Sequence, residues 1–230
     1  MEHIFKVDKA EALRYLGFKG QDISEDVMNT VDEMVERCEA ITIPSFRTVQ
    51  FALQRTEGGI LLVGTNVMLE GTDISAHLAG CNSAVLMAAT LGQAFDREMR
   101  VLESSDMVKA LIFDSCASSL IESVCDFAQS EAKKIAKESG LFITDRYSPG
   151  YGDLPLEIQP AFLRILDTQR KIGLYCTDTC LMMPAKSVTA IIGLKSTKHE
   201  LRRRSCENCK LKESCEFRKN GVSCESKTKY

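Results

Sequence analysis

RTVQFALQR at residues 47–55, followed by GILLVGTNVML at 59–69, decides the fold class of this chain. The first segment alternates apolar and polar side chains, and the second runs apolar behind Gly58-Gly59. Together they predict a hairpin with one well-buried strand. Upstream, Val27, Val31, Met34, Val35 and Cys38 recur at helical spacing between Ser24 and Ala40, with acidic residues among them, which predicts an amphipathic helix. Downstream, residues 83–102 and 106–138 carry long helical patterns. The second of these keeps Ala110, Ile112, Phe113, Ala117, Leu120, Ile121, Val124 and Phe127 inward. Asp73 or Ser75 is placed to cap a helix entering HLAGC at 77–81. Strands are expected again near 141–145, 174–183 and 187–194, with a helix between Pro160 and Ile172. This mixed order, without strict βαβ alternation, predicts an α+β fold in which helices pack on an antiparallel sheet.

With 230 residues, 44% of them hydrophobic, the chain can bury one sizeable core and carry a small appendage. The N-terminus has no basic region followed by an apolar run, and no stretch approaches the length of a membrane span, so a cytoplasmic protein is expected. In that reducing compartment the ten cysteines read as core residues, metal ligands or redox groups. The net charge of −3 hides an asymmetry: residues 195–230 hold 11 Lys or Arg against 5 Asp or Glu, and the first 194 hold 18 against 27. Hydrophobic periodicity stops after Gly193, which places a boundary at about 195–200 and divides the chain into a domain over 1–195 and a tail over 196–230. The basic tail is short, poor in aromatics and rich in cysteine, which argues against nucleic-acid binding.

Within the tail, Cys206, Cys209, Cys215 and Cys224 form C-x2-C-x5-C-x8-C in a segment too short and polar to bury itself. A bound metal would supply the missing core. Four thiolates suit an iron–sulfur cluster or zinc, and unmetallated thiols are the third possibility. Cys38, Cys81, Cys116 and Cys125 read as core on apolar helix faces. Cys176 and Cys180 share one face of a strand and read as core too.

A second chemical signal is RYSPGY, Arg146 to Tyr151, with Pro155 following. Pro149 fixes its own φ and pushes Ser148 into an extended conformation, while Gly150 permits backbone angles or a close approach denied to other residues. Arg146 offers a planar donor fork for a carboxylate or phosphate. Tyr151 can stack on a ligand or anchor the loop by packing. The glycine-rich loop of the common methyltransferase fold is missing, as are a Walker A lysine, a Gly-x-Ser-x-Gly elbow and a His-Glu-x-x-His pair, so a hydrolase is disfavoured.

RYSPGY followed by DLPLEIQ at 153–159, then TDTCLMMPAKSVTAIIGL at 177–194, resembles the reactivation domain of cobalamin-dependent methionine synthase. The family pattern is Arg-x-x-x-Gly-Tyr followed by Met-x-Pro-x-x-Ser-Val. EALRYLGF at 11–18, HLAGCNSAVLMAATLG at 77–92 and DSCASSLIESVCDFAQSEAKK at 114–134 are similar to short free-standing versions of that domain, so the likeness spans about residues 9–195. It implies an S-adenosylmethionine site in which Glu122, on an inward-leaning helix face, takes the ammonium and Arg146 the carboxylate. The main chain around Ser148 would face the adenine, with Gly150 and Tyr151 completing the loop. The family's N-terminal-arm aspartate has no counterpart here; Asp73 and Asp96 are candidates by composition only.

The resemblance further implies reductive reactivation, in trans, of a methionine synthase or related corrinoid protein. Cobalamin would arrive on that partner, since the chain lacks Asp-x-His-x-x-Gly. A low-potential electron donor is also implied, which favours iron–sulfur over zinc in the tail. No catalytic acid or base is expected, because the task is to position the ligand. The alternatives are a non-catalytic S-adenosylmethionine-binding or structural subunit of a corrinoid complex with a zinc-bound tail, and a methyltransferase acting on a small molecule or another corrinoid protein.

Overall fold

The computed structural model describes residues 5–18 and 20–197. Cys206, Cys209, Cys215 and Cys224, and with them the expected metal site, lie outside the described residues.

Two helices lead: α1 (Lys9–Tyr15), capped by the Asp8 side chain, which accepts from the Glu11 N–H, and α2 (Glu25–Ile41), which buries Val31, Met34 and Cys38. Strand β1 (Ser45–Thr56) then turns into β2 (Gly59–Leu62) and β3 (Met68–Leu69). The apolar run at 59–69 is thus two short strands joined by a turn, where Gly64 has φ +84°. Helix α3 (Thr72–His77), strand β4 (Cys81–Thr90), helix α4 (Gln93–Ser105) and the long helix α5 (Met107–Glu138) follow. After strand β5 (Phe142–Ile143) and a 3₁₀ turn (Leu156–Ile158) come α6 (Gln159–Ile165) and α7 (Thr168–Ile172). The chain then forms β6 (Tyr175–Cys176), β7 (Met182–Met183) and β8 (Ser187–Lys195).

Six strands form one sheet in the order β3-β2-β1-β4-β8-β5, every neighbouring pair antiparallel, while β6 and β7 make a separate hairpin. The α+β antiparallel class is as expected, but the sheet is covered on both faces. On one face Val85, Met87, Ala89, Ala190, Ile192 and Leu194 pack with α1, α2, α4 and α5. On the other, Ala84, Leu86, Ala88 and Ile191 meet Ile60, Leu62, Ile74, Leu78, Phe162 and Leu166.

That double covering corrects the helix expected over 83–102, whose first half is the central strand β4. Ala84 through Leu91 are all buried, so both faces of the strand need apolar side chains and the alternation that marks a half-exposed strand disappears. Only residues 93–102 of that span are helical. The helix predicted over 106–138 is α5, started by the Asp106 side chain accepting from the Val108 and Lys109 N–H groups, both at 3.1 Å. At about 1.5 Å rise per residue its 32 residues span roughly 48 Å, long enough to cross the whole sheet.

Smaller corrections follow from local geometry. The region 174–183 is the β6–β7 hairpin, and Cys180 sits in its turn with φ +63°, so Cys176 and Cys180 do not share a strand face. The helix expected between Pro160 and Ile172 is broken at Asp167, which has φ +52°. Cys81 is buried, but at the start of β4 instead of on a helix. Among the described residues no helix is long and apolar enough to cross a membrane.

Candidate functional site

The Arg146–Tyr151 loop continues the sheet edge beyond β5. The Thr144 N–H donates to the Gly193 carbonyl at 2.9 Å, and Tyr147 and Ile191 exchange N–H···O=C bonds of 3.0 and 2.8 Å. The loop's position is therefore fixed by β8. Past Tyr147 the chain reverses: the Tyr151 N–H donates to the Ser148 carbonyl at 3.1 Å, with Pro149 and Gly150 at the two central positions and φ +85° at Gly150. That is the Pro-Gly pattern of a type II turn. A Cβ at Gly150 would touch only Leu156 Cδ1, at 3.7 Å, so glycine is needed there for its backbone angle.

The close approach occurs two residues later. A Cβ at Gly152 would fall on the Tyr147 hydroxyl and the Asp73 carboxylate, and Gly152 also has φ +55°. Tyr147 donates its hydroxyl to the Tyr151 carbonyl at 3.0 Å and lays its ring 4.9 Å from that of His77. Next to it, Asp153 accepts from the Asp73 N–H at 3.0 Å and from the Thr72 hydroxyl at 2.8 Å, and also from the Thr72 N–H. These bonds, led by the one from Asp73, hold its carboxyl down to about 2. Asp153 thereby caps α3, a task the sequence pattern assigned to Asp73 or Ser75; Asp73 instead lies in the first helical turn, against the loop.

Arg146 reaches back to α5. One of its terminal nitrogens donates to Glu122 Oε2 at 3.0 Å and to Asp126 Oδ1 at 3.2 Å. The arginine side chain is 19% exposed, against 48% for Glu122 and 61% for Asp126. Glu122 is thus not on an inward-leaning face. Ile121, Val124, Cys125 and Ala128 take the inner positions, and Glu122 and Asp126, four apart, share the outer shoulder. Cys125, buried behind this shoulder, has its thiol pushed up to about 12 by burial.

The shoulder continues towards the start of α5. Lys186, in the β7–β8 connection, donates to Asp114 Oδ2 at 3.0 Å and to Ser118 Oγ at 2.8 Å. Asp114, Ser118, Glu122 and Asp126 therefore form a polar stripe at four-residue intervals, met by one cation from each of two loops. Tyr15, at the end of α1, is raised by burial and then by the nearby Glu122 carboxylate. Of the residues expected in the site, Arg146 and Glu122 are in contact, Ser148 is half-buried in the turn, Gly150 supplies the turn's positive φ, and Tyr151 is 59% exposed. Asp96 takes the Ala185 N–H at 3.0 Å and stands with the β7–β8 connection. The local sequence pattern does not mark Tyr15 or Lys186, and it marks Asp126 only through its position four residues after Glu122, the interval that shares a helix face. No group of three or more His, Cys, Asp or Glu arranged to hold a metal occurs among the described residues.

Fold and site together define a class: an α+β domain whose sheet-edge loop sets an arginine against paired carboxylates on a long helix. The chain shares the fold of the MetH reactivation domain, whose crystal structure bound to AdoHcy superposes with a TM-score of 0.63 at 14% identity, over 94% of this chain and 82% of that one. No family model and no curated protein matches the sequence.

Proposed function

We propose that this chain binds S-adenosylmethionine between α5 and the Arg146–Tyr151 loop and presents its methyl group to a cobalamin carried by a partner, reactivating methionine synthase or a related corrinoid protein in trans. The observation that carries the proposal is the charge balance of the site. One guanidinium faces two carboxylates, Glu122 and Asp126, leaving a net −1 on a partly open shoulder. S-adenosylmethionine carries a carboxylate, an ammonium and a sulfonium, a net +1. Its carboxylate fits the unused donors of the Arg146 fork, and its ammonium fits Glu122 and Asp126, so the resting ion pairs are exchanged for ligand contacts. The main chain at Ser148 and Gly150 offers polar groups for the adenine edge, and Tyr151 an exposed ring beside it. The fold's neighbour, solved with AdoHcy, supports a ligand of this family.

Methyl transfer breaks a carbon–sulfur bond and moves no proton, so the chain's residues bind and orient without acid–base work. Reduction of the cobalt would draw on a low-potential donor. For the tail we extend the proposal to a four-iron cluster on Cys206, Cys209, Cys215 and Cys224, which their spacing and the need for that donor support. Anaerobically purified protein should be brown and bleach on reduction; colourless protein with stoichiometric zinc would leave the tail a structural clip.

Calorimetry with S-adenosylmethionine and S-adenosylhomocysteine tests the binding. A unit charge about 6 Å from the net −1, at an effective dielectric of roughly 60, is worth about 1 kcal/mol, or roughly five-fold tighter binding of the charged ligand. Asp126→Asn should narrow that gap, and added salt should too. If neither ligand binds, the proposal fails; equal affinities for the two would remove the charge-balance argument.

A further inference from the structure

A second, separate cleft opens where the first turns of α4 face the β6–β7 hairpin. It encloses about 220 Å³ and is lined by Gln93, Asp96, Arg97, Arg100, Tyr175 and Met183, with Pro184. Arg97 and Arg100 are one helical turn apart, so their guanidinium groups rise on the same side of α4. Both are exposed, and neither has a hydrogen bond or an ion pair among the described residues. Their neighbours are already committed: Asp96 holds the Ala185 N–H, and Glu98 pairs with Arg37. Tyr175, 39% exposed, and the half-buried Met183 add an apolar wall, and Gln93 adds an amide.

We infer that this cleft binds a phosphate ester on a flat ring. Two uncommitted guanidinium groups one turn apart can clamp a phosphate through paired N–H donors, a geometry that lysine would not provide. Against the single Asp96 carboxylate they leave the cleft at net +1, where the Arg146 site is net −1, so the two sites select ligands of opposite charge. The Tyr175 ring offers a flat face for stacking. The volume lies below the several hundred Å³ of a site that engulfs a drug-sized molecule, so the cleft suits one phosphate and one ring and excludes a dinucleotide.

The test titrates the full-length chain with uridine 5′-monophosphate, uridine and inorganic phosphate, each followed by calorimetry and by NMR of methionine methyl groups. S-adenosylmethionine is left out, so failure here is separate from failure of the proposed methyl-donor site. The nucleotide should bind at least ten-fold more tightly than uridine. The Arg97→Ala, Arg100→Ala double variant should lose at least ten-fold in nucleotide affinity, while the exposed Arg170→Ala control should not. Tyr175→Ala should weaken the nucleotide and leave inorganic phosphate unchanged. Both arginines are exposed, so the double variant should melt with the parent, and a circular dichroism melt checks that. Uridine binding as well as its phosphate, an unaffected double variant, or no binding at millimolar nucleotide overturns the inference. Inorganic phosphate binding as tightly as the nucleotide would name free phosphate as the source and overturn the role of the ring.

Discussion

Replacing Arg146 by alanine separates the proposed binding role of this side chain from its structural one. In the resting protein its two ion pairs join a mostly buried guanidinium to carboxylates 48% and 61% exposed, and such pairs contribute about 0–1 kcal/mol each because water competes for the carboxylates. Folding should therefore lose about 2 kcal/mol or less. Binding should lose at least as much. The ligand carboxylate forfeits a charge-assisted, two-pronged partner worth about 1.5–3 kcal/mol, and it must then face Glu122 and Asp126 with no cation between them. A loss of about 2 kcal/mol, roughly 25-fold in Kd, is expected. Arg146→Lys, which keeps the charge but not the fork, should fall between. Calorimetry with S-adenosylmethionine gives the affinities, and denaturant unfolding of the ligand-free proteins gives the stabilities. Unchanged affinity in Arg146→Ala would remove the residue from the site. A stability loss above about 3 kcal/mol would instead make it a structural strut, and any affinity change would then be secondary.

Other perturbations probe the scaffold around the loop. Gly152→Ala should cost about 1 kcal/mol or more of stability, because it forces a Cβ against Tyr147 and Asp73 at a positive φ, and it should weaken ligand binding as well; a variant as stable as the parent would show the loop to be pliable there. The Asp153 carboxyl titrates near 2 in the fold against an ordinary 3.8, so its contribution is complete above about pH 4 and disappears as the pH falls towards 2. Asp153→Asn should flatten the acid limb of stability in that window and speed amide exchange at Thr72 and Asp73; an unaltered acid limb would mean that the cap does not operate in solution. Burial pushes Cys38 and Cys125 up to about 12 and Cys116 to about 11. Iodoacetamide at pH 8 should leave these three unlabelled until the protein is denatured, and native labelling mapped to any of them by mass spectrometry would contradict the packing.

What could be read from the residues divides along a physical line. Signals whose cause is local were legible: the apolar stripe of α2, the helical pattern of α5, the alternation in β1, and the Pro149-Gly150 turn. Signals whose cause lies far away in the chain were not. β4 reads as helix because Ala84 to Ala89 hold good helix formers, and only the arrival of two helical layers, one on each face, turns that run into the middle of a sheet. The α3 cap comes from Asp153, some eighty residues downstream of the helix it starts, so no window around Thr72 contains it.

The site shows both kinds of signal side by side. Arg146 is marked as a candidate by its own loop. Glu122 was placed on the wrong face because the inward set of α5 is fixed by the sheet it crosses, and Asp126 and Lys186 were missed because each gains meaning only from a partner on another element. This division also bears on which half of the proposed function stands closer to the sequence. The proposed carboxylate-binding fork depends on one residue held in place by β8. The cation-binding half depends on how α5 is rotated about its axis, so a substitution at Ile121 or Val124 that rolls the helix should disturb ammonium recognition while leaving Arg146 where it is.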